Sequence, residues 1–212
     1  HKSRLKAFYA LRDLSSEIEV LFPYKENYKR TFIEKVFSRL KVPLDTQKIN
    51  QRILKTCKTF KPDIVFIVKG LLIKPRTLIG LKKMGIKTIS WSNDDMFAKH
   101  NRSLWYTLGV KHYDLVGTQK SYNAHPEELP SFGANVFFQD KAFDPRINYP
   151  VENCNDFNCV HDVVFVGSKE KDRYDHIRFL AENGIKVDIY GWGKPDAASY
   201  HENILFHDRH LF

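Results

Sequence analysis

The feature that most constrains this chain is a rhythm. Short β-branched apolar runs alternate with segments of helical periodicity, and the alternation repeats along most of the sequence. After Asp63, Ile64-Val65-Phe66-Ile67-Val68 is a continuous apolar run, the pattern of a strand buried on both faces of a parallel sheet. Lys87-Thr88-Ile89-Ser90-Trp91, Asp114-Leu115-Val116-Gly117 and Asn135-Val136-Phe137-Phe138 read as further strands. Ahead of them, Glu17 to Phe22 reads as a strand that Pro23 ends. Phe32, Val36, Phe37 and Leu40 share one helical face, and Ile49, Ile53, Leu54, Cys57 and Phe60 share another behind a capping Asp45. Pro75 suits the first turn of a helix that runs to about Met84. A helical patch is expected around 103–111. This order predicts an α/β fold, a Rossmann-like doubly wound parallel sheet.

Residues 144–160 break the rhythm. Asp144-Pro145 and Tyr149-Pro150 flank a polar, Asn-rich stretch without periodicity, which reads as a linker. A new βαβ pattern follows, with strands at 162–166 and 186–190, a helix from about 172 to 183 capped by Gly184, and a third strand at 204–206. The expected division is a first Rossmann-like domain at 1–143, a linker at 144–160, and the start of a second Rossmann-like domain at 161–212.

Charge separates the same two parts. Residues 1–150 carry 27 Lys/Arg against 14 Asp/Glu, and residues 151–212 carry 7 against 11. A basic first part suits a phosphorylated or membrane-bound partner, including a peripheral membrane contact. Charge alone suits a solvated lysine-rich surface better. The cations are scattered through all its helices with no nucleic-acid-binding signature, so nucleic acid is not expected. Of three cysteines, Cys57 reads as a core residue. Cys154, Cys159 and His161 lack a fourth ligand at sensible spacing, so no metal is expected. Few cysteines and no secretory signal point to a reducing cytoplasm.

The assembled motifs resemble the CgeB-like, spore-maturation-type glycosyltransferases, which have the GT-B fold. Trp91-Ser92-Asn93-Asp94-Asp95 resembles that family's W-x-x-D-D segment, and Tyr113-Asp114-Leu115-Val116-Gly117-Thr118 its Y-D-x-V-x-T strand. Gly133 through Pro145 resembles its pre-linker stretch. Asp162 through Ser168, Arg173, and Gly184 through Gly193 resemble the opening of its C-terminal domain. The resemblance implies an acceptor-binding first domain, a second domain that binds a nucleotide-sugar donor, and sugar transfer without an essential cofactor. The acceptor, whether glycan, lipid-linked or protein, stays open. Against the family pattern, this chain is expected to lack the opening strand of the first domain and to carry only the beginning of the second. Pairing of two chains is then an expected way to cover uncovered strands.

Sugar transfer needs a base for the acceptor hydroxyl and positive groups for the departing phosphate. Asp94 and Asp95 follow a strand at its carboxyl end, where open α/β sheets bind ligands. Either suits a base or an acceptor contact, and the alternative is a helix cap, with Asp95 capping the turn after it. His100 is an alternative base, or an exposed structural histidine. Gly167, Ser168 and Arg173 suit a diphosphate at a helix start, or an ordinary turn with a solvated arginine. Gly191 and Trp192 close the neighbouring strand, and Trp192 either stacks on a ligand or packs on its own domain. A non-catalytic binding protein on the same scaffold is the rival reading, with a basic nucleic-acid-binding module a less favoured one.

Overall fold

The computed structural model describes residues 2–146, 149, 161–192 and 201–207. They belong to two compact units, His1–Asp144 and Pro145–Phe212. The expected α/β architecture is present in both.

The first unit runs α1 (Lys2–Leu14), α2 (Phe32–Arg39), α3 (Ile49–Phe60), β1 (Ile64–Val68), α4 (Pro75–Lys83), β2 (Lys87–Ser92), α5 (Leu104–Gly109), β3 (Leu115–Thr118) and β4 (Val136–Phe138). Short 3-10 turns at Ser121–Ala124 and Leu129–Phe132 join β3 to β4. The four strands form one parallel sheet in the order β1-β2-β3-β4. Asp45 caps α3 as its sequence position suggests, accepting from the backbone of Ile49 at 2.6 Å and Asn50 at 3.1 Å. Pro75 occupies the first turn of α4, where its missing N–H costs nothing.

Alternation along the strands decides which face packs. Ile67, Thr88, Ser90, Val116 and Thr118 are buried. Ile67 and Val116 share a core with Ile53, Cys57, Leu78 and Leu81 from α3 and α4. The other face carries Ile64, Phe66, Val68, Ile89, Trp91, Leu115 and Phe137, all half-buried or exposed. Val68, Trp91, Gly117 and Phe137 stand in one row of the ladder. A Cβ on Gly117 would lie 2.4 Å from Cε3 of Trp91 and 2.7 Å from Cζ of Phe137, so the two rings flank a position that has room for hydrogen alone.

Three sequence expectations need correction or qualification. The apolar run of β1 is an edge strand: Ile64 is 54% and Val68 55% exposed. Glu17 to Phe22 is extended but makes no strand. Its β propensity is high, yet a strand exists only where a neighbour completes its ladder, and among the described residues none does. In α2 the shared apolar face is real, but it looks outward. Phe32 is 78%, Ile33 59% and Leu40 65% exposed, whereas Glu34 is 3% exposed.

Glu34 explains that inversion. It closes a capping box with Thr31. Its carboxylate also accepts from the hydroxyls of Tyr28, at 2.8 and 2.9 Å, and of Thr46. The Thr46 hydroxyl and the Thr31 backbone N–H, helped by Tyr28, outweigh burial and hold the Glu34 carboxyl down at about 2. The helix is thus anchored by its acidic edge.

The second unit contains β5 (Val163–Val166), α6 (Lys171–Glu182), β6 (Val187–Tyr190) and β7 (Ile204–His207). Its sheet is parallel, in the order β5-β6-β7. Ile177 and Ala181 of α6 pack with Val187, Ile189 and Ile204. Gly184, at φ +82°, ends the helix as its position suggested. Most of the proposed linker, with Cys154 and Cys159, lies outside the described residues.

Candidate functional site

The carboxyl ends of β1, β2 and β3 bring together side chains far apart in sequence. Ser92 ends β2, and its hydroxyl accepts from the Asp94 backbone at 3.1 Å. That turn directs Asp94 onto Lys69, the residue that follows β1, and the two form an ion pair. Both side chains keep 40% or more of their surface in solvent. Lys69 holds a left-handed backbone, φ +65°, and donates its N–H to Trp91 at 2.8 Å. A non-glycine residue there stores strain.

Asp95 stands differently. Its Oδ1 accepts from the backbone of Phe97 and Ala98, each at 3.0 Å, and from Asn123 Nδ2 at 2.9 Å. Partial burial is the largest single influence and pushes its carboxyl up. The three hydrogen bonds, with His100 nearby, outweigh burial and leave it below the ordinary range. This is cap geometry, of the kind weighed for the position from sequence. Asn123 is fully buried. It also donates to Glu128 at 3.0 Å and accepts from the Met96 backbone at 3.1 Å, so it locks the 93–101 loop to the turns before β4. His100 is exposed, and its carbonyl accepts from Lys41 at 2.9 Å. Arg102 covers the loop from the other side, bonded to the Phe97 carbonyl and lying over the stacked rings of Phe97 and Phe132. Nearby in the chain, Lys74, Pro75, Arg76 and Trp105 line a shallow hollow at the start of α4.

Lys69 and Asn123 were not singled out from sequence. Lys69 left one signal: it is a cation closing an otherwise apolar strand. Asn123 left none, because the partners that tie it to the loop, Met96 and Asp95, lie 27 and 28 residues away in the chain.

In the second unit, Gly167 and Gly191 meet at the carboxyl ends of β5 and β6. Gly167 N–H donates to the Tyr190 carbonyl at 3.0 Å. A Cβ on Gly191, already at φ +97°, would lie 2.9 Å from the Gly167 oxygen. Arg173 folds over this turn, donating to the carbonyl and the hydroxyl of Ser168 at 3.1 Å each, and pairs with Glu170 at 3.2 Å. Trp192 packs against Phe165, Tyr174 and Phe206, with ring centres 5.6 to 6.2 Å apart. Its indole N–H is buried without a hydrogen-bond partner among the described residues.

A second polar cluster lies on the sheet face away from α6. Asp188, buried in β6, takes hydrogen bonds from His161 Nδ1 at 2.9 Å and His207 Nε2 at 2.6 Å. His207 stacks on Tyr190 at 4.2 Å. Burial pushes the Asp188 carboxyl up, and the two imidazoles outweigh it and bring it below the ordinary range. Among the described residues, no group of three or more His, Cys, Asp or Glu is arranged to hold a metal ion. Nor is any helix there long and apolar enough to cross a membrane.

Fold and site together define an α/β protein with two parallel-sheet units and polar clusters at the strand ends. No protein-family model and no curated protein matches the chain. Among solved structures it is similar to a protein described as a UDP-N-acetylglucosamine 2-epimerase from Listeria monocytogenes. The TM-score is 0.38 at 12% identity, over 76% of this chain and 51% of the other. The chain therefore spans about half the length of that structure.

Proposed function

We propose that this chain is part of a CgeB-like glycosyltransferase that moves a sugar from a nucleotide-sugar donor to an acceptor hydroxyl. The reading rests on the ordered motifs and on one observation. Of the two carboxylates in the W-x-x-D-D segment, Asp95 is spent on capping, while Asp94 stands solvent-accessible at the strand ends beside Lys69. A carboxylate there can accept the proton of an incoming hydroxyl, and the neighbouring ammonium offsets the charge that develops.

The donor contacts fall to the second unit. The backbone at Gly167 and Ser168 opens towards the start of α6, which favours an anion. Arg173 already lies over that turn, held by Glu170. A diphosphate takes the place of Glu170 on the guanidinium, a stronger pairing because it can be bidentate and doubly charged. Phosphate charge is then met by backbone and arginine, so binding is expected to be independent of divalent metal.

Calorimetry with UDP and GDP in EDTA tests this. Losing a charge-assisted contact costs about 1.5–3 kcal/mol, so Arg173→Ala is expected to weaken binding roughly 10- to 100-fold. Glu170→Gln, which removes the competing carboxylate, is expected to tighten it. Absence of nucleotide binding, or affinity indifferent to Arg173→Ala, refutes the donor assignment.

A further inference from the structure

The inverted helix α2 carries an inference that goes beyond sugar transfer. Phe32, Ile33, Val36, Phe37 and Leu40 fall on one side of it, at helical spacing. Phe32, Ile33, Phe37 and Leu40 are exposed, while the helix buries its only acid. A soluble helix normally does the reverse. The exposure is held in place, because Glu34 is tied to Thr31, Tyr28 and Thr46 and cannot swing outward without leaving those partners.

Charge selects the partner. Lys25, Lys29, Arg30, Lys35, Arg39 and Lys41 lie within residues 25–41, against Glu26 and the buried Glu34. Lys35 and Arg39 sit on α2 itself and are exposed. A convex apolar stripe flanked by cations matches the boundary between lipid headgroups and acyl chains of an anionic bilayer. A second copy of this chain fits worse, since a two-fold contact through the stripe would bring two cationic flanks together. We propose that α2 seats the first unit on an anionic lipid surface, with Phe32, Ile33, Phe37 and Leu40 entering the headgroup region and Lys35 and Arg39 pairing with lipid phosphates.

The test is co-sedimentation of the chain with phosphatidylcholine vesicles, with and without about one third phosphatidylserine, a composition that attracts basic segments. Binding to the anionic vesicles alone is expected. It should fall as salt shortens the screening length from about 10 Å at 0.1 M to about 3 Å at 1 M. Lys35→Gln with Arg39→Gln should lower affinity roughly 25-fold, about fivefold per cation. Phe32→Ser with Leu40→Ser should abolish binding while leaving the urea midpoint unchanged, since both side chains are exposed. Both glutamine replacements fall at exposed positions, which keeps the test valid if the serine pair fails to fold. No binding to anionic vesicles at low salt overturns the proposal, as does binding that the serine pair leaves intact. Self-association in light scattering that Phe32→Ser removes also overturns it, by assigning the stripe to a second copy. None of these readouts depends on nucleotide binding.

Discussion

Asn123 Nδ2 sits 2.9 Å from Asp95 Oδ1 across 28 residues of chain, and that contact helps to fix the loop that carries Asp94. With its other two bonds, to Glu128 and the Met96 backbone, both N–H donors of the amide are committed.

Replacing Asn123 by Leu keeps the volume and leaves a buried N–H and two carboxylates short of a partner. Each buried group left unsatisfied costs about 1–3 kcal/mol. The expected result is a lower urea midpoint at unchanged slope, with faster amide exchange at Phe97 and Ala98. An unchanged midpoint would mean that the loop is held by something else.

Asp94→Asn should behave otherwise. Asp94 is solvent-accessible and its main partner is Lys69. An exposed ion pair is worth about 0–1 kcal/mol, so the midpoint should barely move. UDP affinity should also be unchanged, while transfer to acceptor is lost. A variant that keeps transfer would move the base elsewhere, His100 being next along the loop.

Acid should weaken the fold through depressed carboxylates. Glu34 sits at about 2 and Asp188 is also lowered. A carboxyl whose folded value lies below its unfolded value stabilises the protein above the unfolded value, roughly 4 to 4.5. That contribution disappears as pH falls through the folded value. The urea midpoint should therefore be flat from neutral pH to about 5 and fall steadily towards pH 2. In Glu34→Gln the fall should be shallower. An equal slope in the variant would show that Glu34 is not linked to folding.

Gly191→Ala places a Cβ 2.9 Å from the Gly167 oxygen on a residue at φ +97°. The backbone of β5 or β6 must move, at a cost of about 1–3 kcal/mol. Hydrogen exchange should speed up in β5, β6 and β7 and stay unchanged in β1 to β4. Faster exchange across the whole chain would contradict a local effect.

The strands were legible because β1 to β7 are short runs rich in β-branched and aromatic residues, continuous or alternating with polar ones, bounded by turn residues, and that signal is local. What escaped was non-local. Periodicity placed Phe32, Val36, Phe37 and Leu40 on one face of α2, but periodicity carries no sign. Glu34 turned that face outward through Tyr28 and Thr46, six and twelve residues away. Glu17 to Phe22 has the composition of a strand and no ladder partner. At the site, the adjacent carboxylates were visible as a pair, with Asp95 as the candidate cap, but not the buried amide that would hold it there. Lys69 reached Asp94 only because β1 and β2 are neighbours in register.

The order β1-β2-β3-β4 has a temporal meaning. Every ladder joins a strand to the next strand in the chain. Ile64 pairs with Lys87, Ile89 with Leu115, Val116 with Val136, Val163 with Val187, and Val187 with Ile204. The widest of these gaps closes after 26 residues. At a synthesis rate of about 5–20 residues per second, each strand waits roughly 1–5 s for its partner to emerge. The loop-closure entropy to be overcome is that of a short loop each time. Both sheets can therefore grow strand by strand behind the ribosome, and the order in which the chain is made is also the order in which its hydrogen bonds can close.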